Sequence, residues 1–86
     1  MYKVVLLPEA KKFYKKLYSA DRAHFGRICN VLQSLQSDPF QGKPLKHKLK
    51  GQYSLRVGSY RVVYTVEKRK VTVYVLDIGH RKNVYK

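Results

Sequence analysis

Two arginines, Arg56 and Arg61, bracket the dipeptide Gly58-Ser59 inside a stretch that alternates apolar and polar residues. Tyr53, Leu55 and Val57 alternate with Ser54 and Arg56 before it; Tyr60, Val62, Tyr64 and Val66 alternate with Arg61, Val63 and Thr65 after it. A period of two belongs to β-strands, and glycine in the first of two central positions suits a tight hairpin turn. With Gly58-Ser59 as that turn, Val57 pairs with Tyr60, Arg56 stands opposite Arg61, and Leu55 faces Val62. Residues opposed in this way have Cβ atoms about 4.5–5.5 Å apart, where like charges destabilise the sheet. Both arginines also point away from the Leu55, Val57, Val62 and Tyr64 face that other elements must cover. Stacked guanidinium groups offer planar forks of donors to phosphate oxygens, so the chemistry this pair suits is holding a phosphate and offsetting charge on it. The plain alternative is a pair of solvated arginines on an open sheet face.

A second candidate group lies in the tail Ile78-Gly79-His80-Arg81-Lys82-Asn83-Val84-Tyr85-Lys86. Taken singly, a terminal histidine is usually solvated and a terminal tyrosine often just packs. Their position changes the reading: Gly79 is expected to end the strand next to the one bearing Arg61, so the tail can return over the arginine face. Lys46, Lys48 and Lys50 alternate in a predicted loop and suit non-specific phosphate contacts, with a solvated loop as an equal contender. Neither reading makes them catalytic.

The charge balance supports a polyanionic partner. Nineteen Lys and Arg stand against five acids, a net +14, and such self-repulsion works against a compact fold unless something negative offsets it. Seven bases face three acids in residues 1–38, whereas twelve face two in residues 39–86. A hydrophobic fraction of 44% and eight tyrosines separate the chain from a disordered basic tail. At 86 residues it is expected to be a single domain, 1–86, burying somewhat over ~60% of its unfolded surface. The lone Cys29 excludes an intrachain disulfide, and three scattered histidines lack zinc-site spacing, so neither a metal nor another cofactor is expected. Val4-Val5-Leu6-Leu7 is too short for a signal peptide, and no run approaches the ~18 apolar residues of a membrane span. A cytoplasmic location away from membranes is the expectation.

Positioning these groups falls to elements legible in the pattern. Residues 2–7 are β-branched, apolar and aromatic and read as a strand stopped by Pro8. Pro8-Glu9 opens a helix on which Ala10, Phe13, Tyr14 and Leu17 form one stripe. Ser19 or Asp21 caps a second helix with the stripe Phe25, Ile28, Cys29, Leu32 and Leu35, stopped by Ser37-Asp38-Pro39. Residues 40–50 read as a loop, and residues 71–78 as the last strand of a meander after a turn at 67–70. The fold class is α+β in the order β-α-α-β-β-β, with the N-terminal strand and a helical hairpin packed on one face of a mainly antiparallel sheet.

The run Leu45-Lys46…Leu49-Lys50-Gly51-Gln52-Tyr53-Ser54-Leu55-Arg56-Val57-Gly58-Ser59-Tyr60-Arg61-Val62-Val63-Tyr64 resembles the central signature of the RelE/ParE superfamily of toxins. Ile78-Gly79-His80-Arg81-Lys82…Val84-Tyr85 resembles its C-terminal signature, and the helical half with its Asp38-Pro39-Phe40 stop fits as well. The resemblance implies the same α+β fold, a proteinaceous antitoxin as partner, and loosely selective cleavage of mRNA in the ribosomal A site, in contact with ribosomal RNA. It makes Arg61 and Arg81 the principal catalytic arginines, Arg56 a basic residue one strand earlier, and Tyr85 a terminal catalytic tyrosine. Ser54 departs from the pattern, since some active members carry lysine there. His80 stands where members carry lysine or have a nearby histidine, and it remains the alternative to Tyr85 as general base.

The route expected for such cleavage is attack of the RNA's own 2′-OH on the adjacent phosphorus, leaving a 2′,3′-cyclic phosphate and a 5′-OH end. Arg61, Arg81 and Arg56 would offset the charge building on the non-bridging oxygens. A tyrosine, with an ordinary pKa near ~10, serves as base only where positive charge favours its phenolate, whereas histidine titrates near neutrality unaided. Lys46, Lys48, Lys50, Lys82 and Lys86 would hold RNA. Two rival readings stay open: a gyrase-poisoning toxin on the same fold, and a nucleic-acid-binding domain without catalysis. An acidic, partly disordered antitoxin could lie across the arginine face or displace the 81–85 tail.

Overall fold

The structure is a computed structural model and describes residues 1–80. Along the chain run β1 (Lys3–Leu6), α1 (Pro8–Ala20), α2 (Arg22–Ser34), β2 (Lys43–Pro44), a 3-10 turn (His47–Leu49), β3 (Gln52–Val57), β4 (Tyr60–Glu67) and β5 (Thr72–His80). The strands form one sheet in the order β1-β5-β4-β3-β2. β1 lies parallel to β5, and the remaining pairings are antiparallel. This is the α+β arrangement expected from the sequence, with one short strand added.

Local chemistry explains where the helices begin. Pro8 occupies the first turn of α1, where its missing N–H costs nothing, and Glu9 sits at the positive end of the helix dipole. Asp21 alone separates α1 from α2 and settles the choice of cap: its Oδ1 accepts the backbone N–H of His24 at 3.2 Å. Leu17, Ile28, Leu32 and Leu35 then pack on Val57, Val62, Tyr64, Val73, Val75 and Ile78, which all belong to one side of the sheet. Each such side chain contributes about 1.5–3 kcal/mol on full burial, so this layer fixes which way β3 and β4 face. Between the helices Tyr14 stacks on Phe25 with centroids 4.5 Å apart, and burial together with the Cys29 thiol pushes its phenol up to about 12.

Three details differ from the sequence-based expectation. β5 runs through Gly79 to His80 because the ladder to β4 continues, pairing Arg61 with Gly79 and Tyr60 with His80. A register shift between Val63 and Tyr64 opens a bulge in that ladder, leaving Leu76 as the extra residue on β5. The segment at 40–50 is not simply a loop: Lys43 pairs with Ser54 and Pro44 with Tyr53, extending the sheet by one edge strand. That strand is anchored from below, where the buried Tyr64 hydroxyl accepts the Gly42 N–H at 2.9 Å.

Candidate phosphate site on the arginine face

Gly58 begins the β3–β4 turn at φ 61°, a left-handed conformation that favours glycine. The fit is close as well, since a Cβ there would meet His24 Nε2 and lie 2.9 Å from Arg27 Nη1, so that those side chains would have to shift. The first turn of α2 therefore sits directly under the hairpin tip. A small polar knot holds it there: His24 Nδ1 lies 2.8 Å from Asp21 Oδ2, and the Tyr60 hydroxyl donates to the same oxygen at 3.3 Å. The His24 backbone N–H, ahead of the His24 and Tyr60 side chains, holds the Asp21 carboxyl below the ordinary carboxylate range against the opposing effect of burial. Burial first, and then the Asp21 charge, push the Tyr60 phenol upward.

With the tip fixed, the register is as the turn predicted: Val57 opposes Tyr60, Arg56 opposes Arg61, and Leu55 opposes Val62. Both arginines lie on the side of the sheet away from the helices, but their surroundings differ. Arg56 is exposed, whereas Arg61 is half-buried and its Nη1 donates to Ser54 Oγ at 3.3 Å. Ser54 is itself only 5% exposed, so the Arg61 guanidinium leans across β3 in a defined direction. On the other flank Arg61 faces Gly79, which offers no side chain to crowd it. Asp77 sits two residues earlier on β5, opposite Val63, and burial is the main cause that raises its carboxyl pKa.

The remaining sequence-predicted residues are placed unevenly. His80 pairs with Tyr60 and so falls on the helix side of the sheet, its ring 6.1 Å from the Tyr60 ring. Strand alternation thus sets Gly79, not His80, beside Arg61. Lys46, Lys48 and Lys50 are all exposed, but the 3-10 turn sends positions two apart to different sides instead of aligning them as a strand would. Arg81, Lys82, Tyr85 and Lys86 lie outside the described residues. One residue was missed altogether: Lys43, opposite Ser54, shares the arginine face. The signal available for it was Pro44, since proline within a sheet is confined to edges. Among the described residues no group of three or more His, Cys, Asp or Glu could hold a metal ion, and no helix is long and apolar enough to cross a membrane.

A second surface lies at the far margin of the sheet. β1 is an edge strand, and Val4, Val5 and Leu6 form with Tyr14, Tyr18 and Phe25 an open apolar groove of about 660 Å³, rimmed by Lys11 and Lys15. Tyr18 is 50% exposed.

Comparison with known proteins places this geometry. Residues 4–85 match the family described as ParE toxin of type II toxin-antitoxin system, parDE. The mRNA interferase toxin RelE of Escherichia coli is 34% identical over 76 residues, which cover 85% of this chain and 76% of that protein. Toxin RelG of Mycobacterium tuberculosis is 38% identical over 53 residues, covering 60% of this chain and 61% of that protein. Among solved structures, the toxin–antitoxin complex RelBE2 from Mycobacterium tuberculosis superposes with a TM-score of 0.81 at 29% identity, covering 93% of this chain and 98% of that one. A sheet with two helices on one face and an arginine-bearing hairpin on the other, matched by family over nearly all its length, identifies the chain as a member of the RelE/ParE family of toxins of type II toxin–antitoxin systems.

Proposed function

We propose that this toxin is an endoribonuclease that cuts mRNA in the ribosomal A site by 2′-OH attack, without a metal, as one domain spanning residues 1–86. The observation that carries the reading is the opposed pair Arg56 and Arg61, with Arg61 Nη1 held 3.3 Å from Ser54 Oγ. Two guanidinium groups on adjacent strands would meet both non-bridging oxygens of one phosphodiester, offsetting charge as the five-coordinate phosphorus forms. Arg81 adds a third from the tail. Tyr85 takes the 2′-OH proton, where neighbouring cations would favour its phenolate. His80 would be the alternative base only by leaving its place beside Tyr60 on the helix side of the sheet. Lys46, Lys48, Lys50, Lys82 and Lys86 hold the message and ribosomal RNA in a salt-sensitive way. The relative named an mRNA interferase, 34% identical to this chain, supports the same reaction class.

The partner is a cognate antitoxin, as in the similar RelBE2 complex. An acidic amphipathic segment suits this chain doubly: its charge offsets part of the +14, and its apolar side fits the groove beside β1 between the Lys11 and Lys15 ammonium groups. With such a partner, the working place is the cytoplasm.

The test is to add the purified toxin to translating ribosomes and map the mRNA ends. The expected result is new 5′-OH ends within the A-site codon and matching 2′,3′-cyclic phosphates; 3′-OH products would overturn 2′-OH attack. The match to the ParE description favours one second reading, a gyrase poison. Uncut mRNA together with trapped gyrase–DNA cleavage complexes would establish that reading instead.

A further inference from the structure

The lean of Arg61 locates the anion seat more closely than the strand pairing does. Its Nη1 reaches Ser54 Oγ, so the guanidinium lies over β3 and not over its own strand. Lys43 stands directly across from Ser54 on β2, which puts the two Cβ atoms about 4.5–5.5 Å apart on the same face. A lysine stem of four methylenes spans that gap easily. The seat over β3 therefore has Arg61 and Arg56 on one side and Lys43 on the other.

The backbone around Lys43 is more firmly built than an exposed lysine on an edge requires. Gly42 donates its N–H to the buried Tyr64 hydroxyl at 2.9 Å, and a Cβ at Gly42 would lie 2.6 Å from that oxygen and 3.1 Å from Ser54 O. On the other side of Lys43, Leu45 donates to Gln52 O at 2.9 Å. Pro44 stops further strand addition by removing a donor. Fixing backbone in this way costs about 1–2 kcal/mol of conformational entropy per residue, and β2 is only two residues long. Among the described residues the contact of ion-pair length is that of His24 with Asp21, and no carboxylate there lies within such reach of Lys43.

We infer that Lys43 is a further cation of the anion seat, contacting the same phosphodiester as Arg56 and Arg61 from the outer edge of the sheet. The inference rests on the nuclease reading for its substrate, but the seat itself binds phosphate whatever the reaction. Tyr64 acts here as a positioning residue, holding β2 at the height of Ser54 through the Gly42 N–H.

Two measurements on the full chain test this. Inorganic phosphate is titrated into the purified toxin while NMR follows the Lys43 Cε and Arg61 Nε–H signals. Both are expected to move on one binding curve, with Lys43→Ala weakening phosphate binding at least about fivefold, Lys43→Arg retaining it, and Lys16→Ala on the exposed side of α1 leaving it unchanged. In single-turnover cleavage of ribosome-bound mRNA at saturating ribosomes, Lys43→Ala slows the step by at least ~10-fold, toward the ~10²–10³ typical of losing one donor to a developing anion. Tyr64→Phe weakens phosphate binding less than Lys43→Ala, and the two changes are non-additive. Stationary Lys43 signals, or a Lys43→Ala toxin that cleaves at the unmodified rate, overturns the inference while leaving the nuclease reading intact. If the unmodified toxin cuts no RNA, the nuclease reading fails and the phosphate titration alone decides the role of Lys43.

Discussion

On the β2–β3–β4 side of the sheet, away from the helices, this toxin gathers Lys43, Ser54, Arg56 and Arg61; along β1 it gathers Val4, Val5, Leu6, Tyr14, Tyr18 and Phe25. The first surface concentrates like charge where strand pairing brings it closest, which opposes folding. The second leaves apolar area in water, which also opposes folding. On the proposed function each cost would be removed by a different partner, a polyanion in one case and an amphipathic antitoxin segment in the other. Helix α2 links the two regions from the helix side of the sheet, because its His24 lies under the hairpin tip while the adjacent Phe25 lines the groove. The apolar groove lies at the β1 edge of the sheet, whereas the charged surface runs from β4 to the β2 edge opposite.

The sharpest way to break that separation is to damage each surface and assay the other. Arg61→Ala removes the pinned guanidinium and should lower the single-turnover rate of mRNA cleavage by about 10²–10³. Its thermal midpoint should stay level or rise slightly, because the variant relieves a like-charge pair, and its affinity for the antitoxin groove segment should be unchanged. Equal loss of cleavage and of folding would show that Arg61 is structural. Tyr18→Asp, at a half-exposed position on the groove wall, is expected to do the reverse. It should weaken antitoxin binding by roughly 30-fold, the ~2 kcal/mol of a tyrosine anchor, as measured by calorimetry, while cleavage continues at the unmodified rate. Antitoxin binding that ignores Tyr18→Asp would move the docking site away from β1.

How much of each surface can be read from the residues follows from how local its determinants are. Gly58-Ser59 is a two-residue turn, so the opposition of Arg56 and Arg61 follows from sequence neighbours alone. Lys43 escaped because β2 exists only through its pairing with Ser54 and Tyr53 and the Gly42 N–H bond to the distant Tyr64 hydroxyl, and two residues carry no periodicity of their own. The groove escaped for the same reason on a larger scale. It exists only because β1 pairs in parallel with β5 at the other end of the chain, bringing Val4 and Leu6 beside Tyr14 and Phe25. His80 was expected near the arginines because the last strand was ended at Gly79. Continuing the ladder by one residue turns the histidine to the other face, beside Tyr60. The helices, by contrast, needed only their apolar spacing and Pro8, with the structure deciding for Asp21 over Ser19 as the second cap.

The smallest expected effect concerns the joint at the start of α2 that links the two regions. Asp21 caps α2, accepts from His24 and Tyr60, and thereby ties the helix that lines the groove to the hairpin that carries the arginines. Its carboxyl is held below the ordinary range, chiefly by the His24 backbone N–H, so the folded state favours the ionised form more than the unfolded chain does. The stabilisation this gives is complete above the ordinary carboxylate value near ~3.9 and is lost as pH falls through the lower native value. Asp21→Asn keeps a capping oxygen but cannot ionise. In urea unfolding followed from neutral pH downward, the unmodified toxin should therefore be the more stable of the two at neutrality, and the difference should shrink below about pH 4. A difference that stays constant into strong acid would mean that the Asp21 charge contributes nothing to the joint, and that packing of His24 beneath Gly58 alone holds the two surfaces in register.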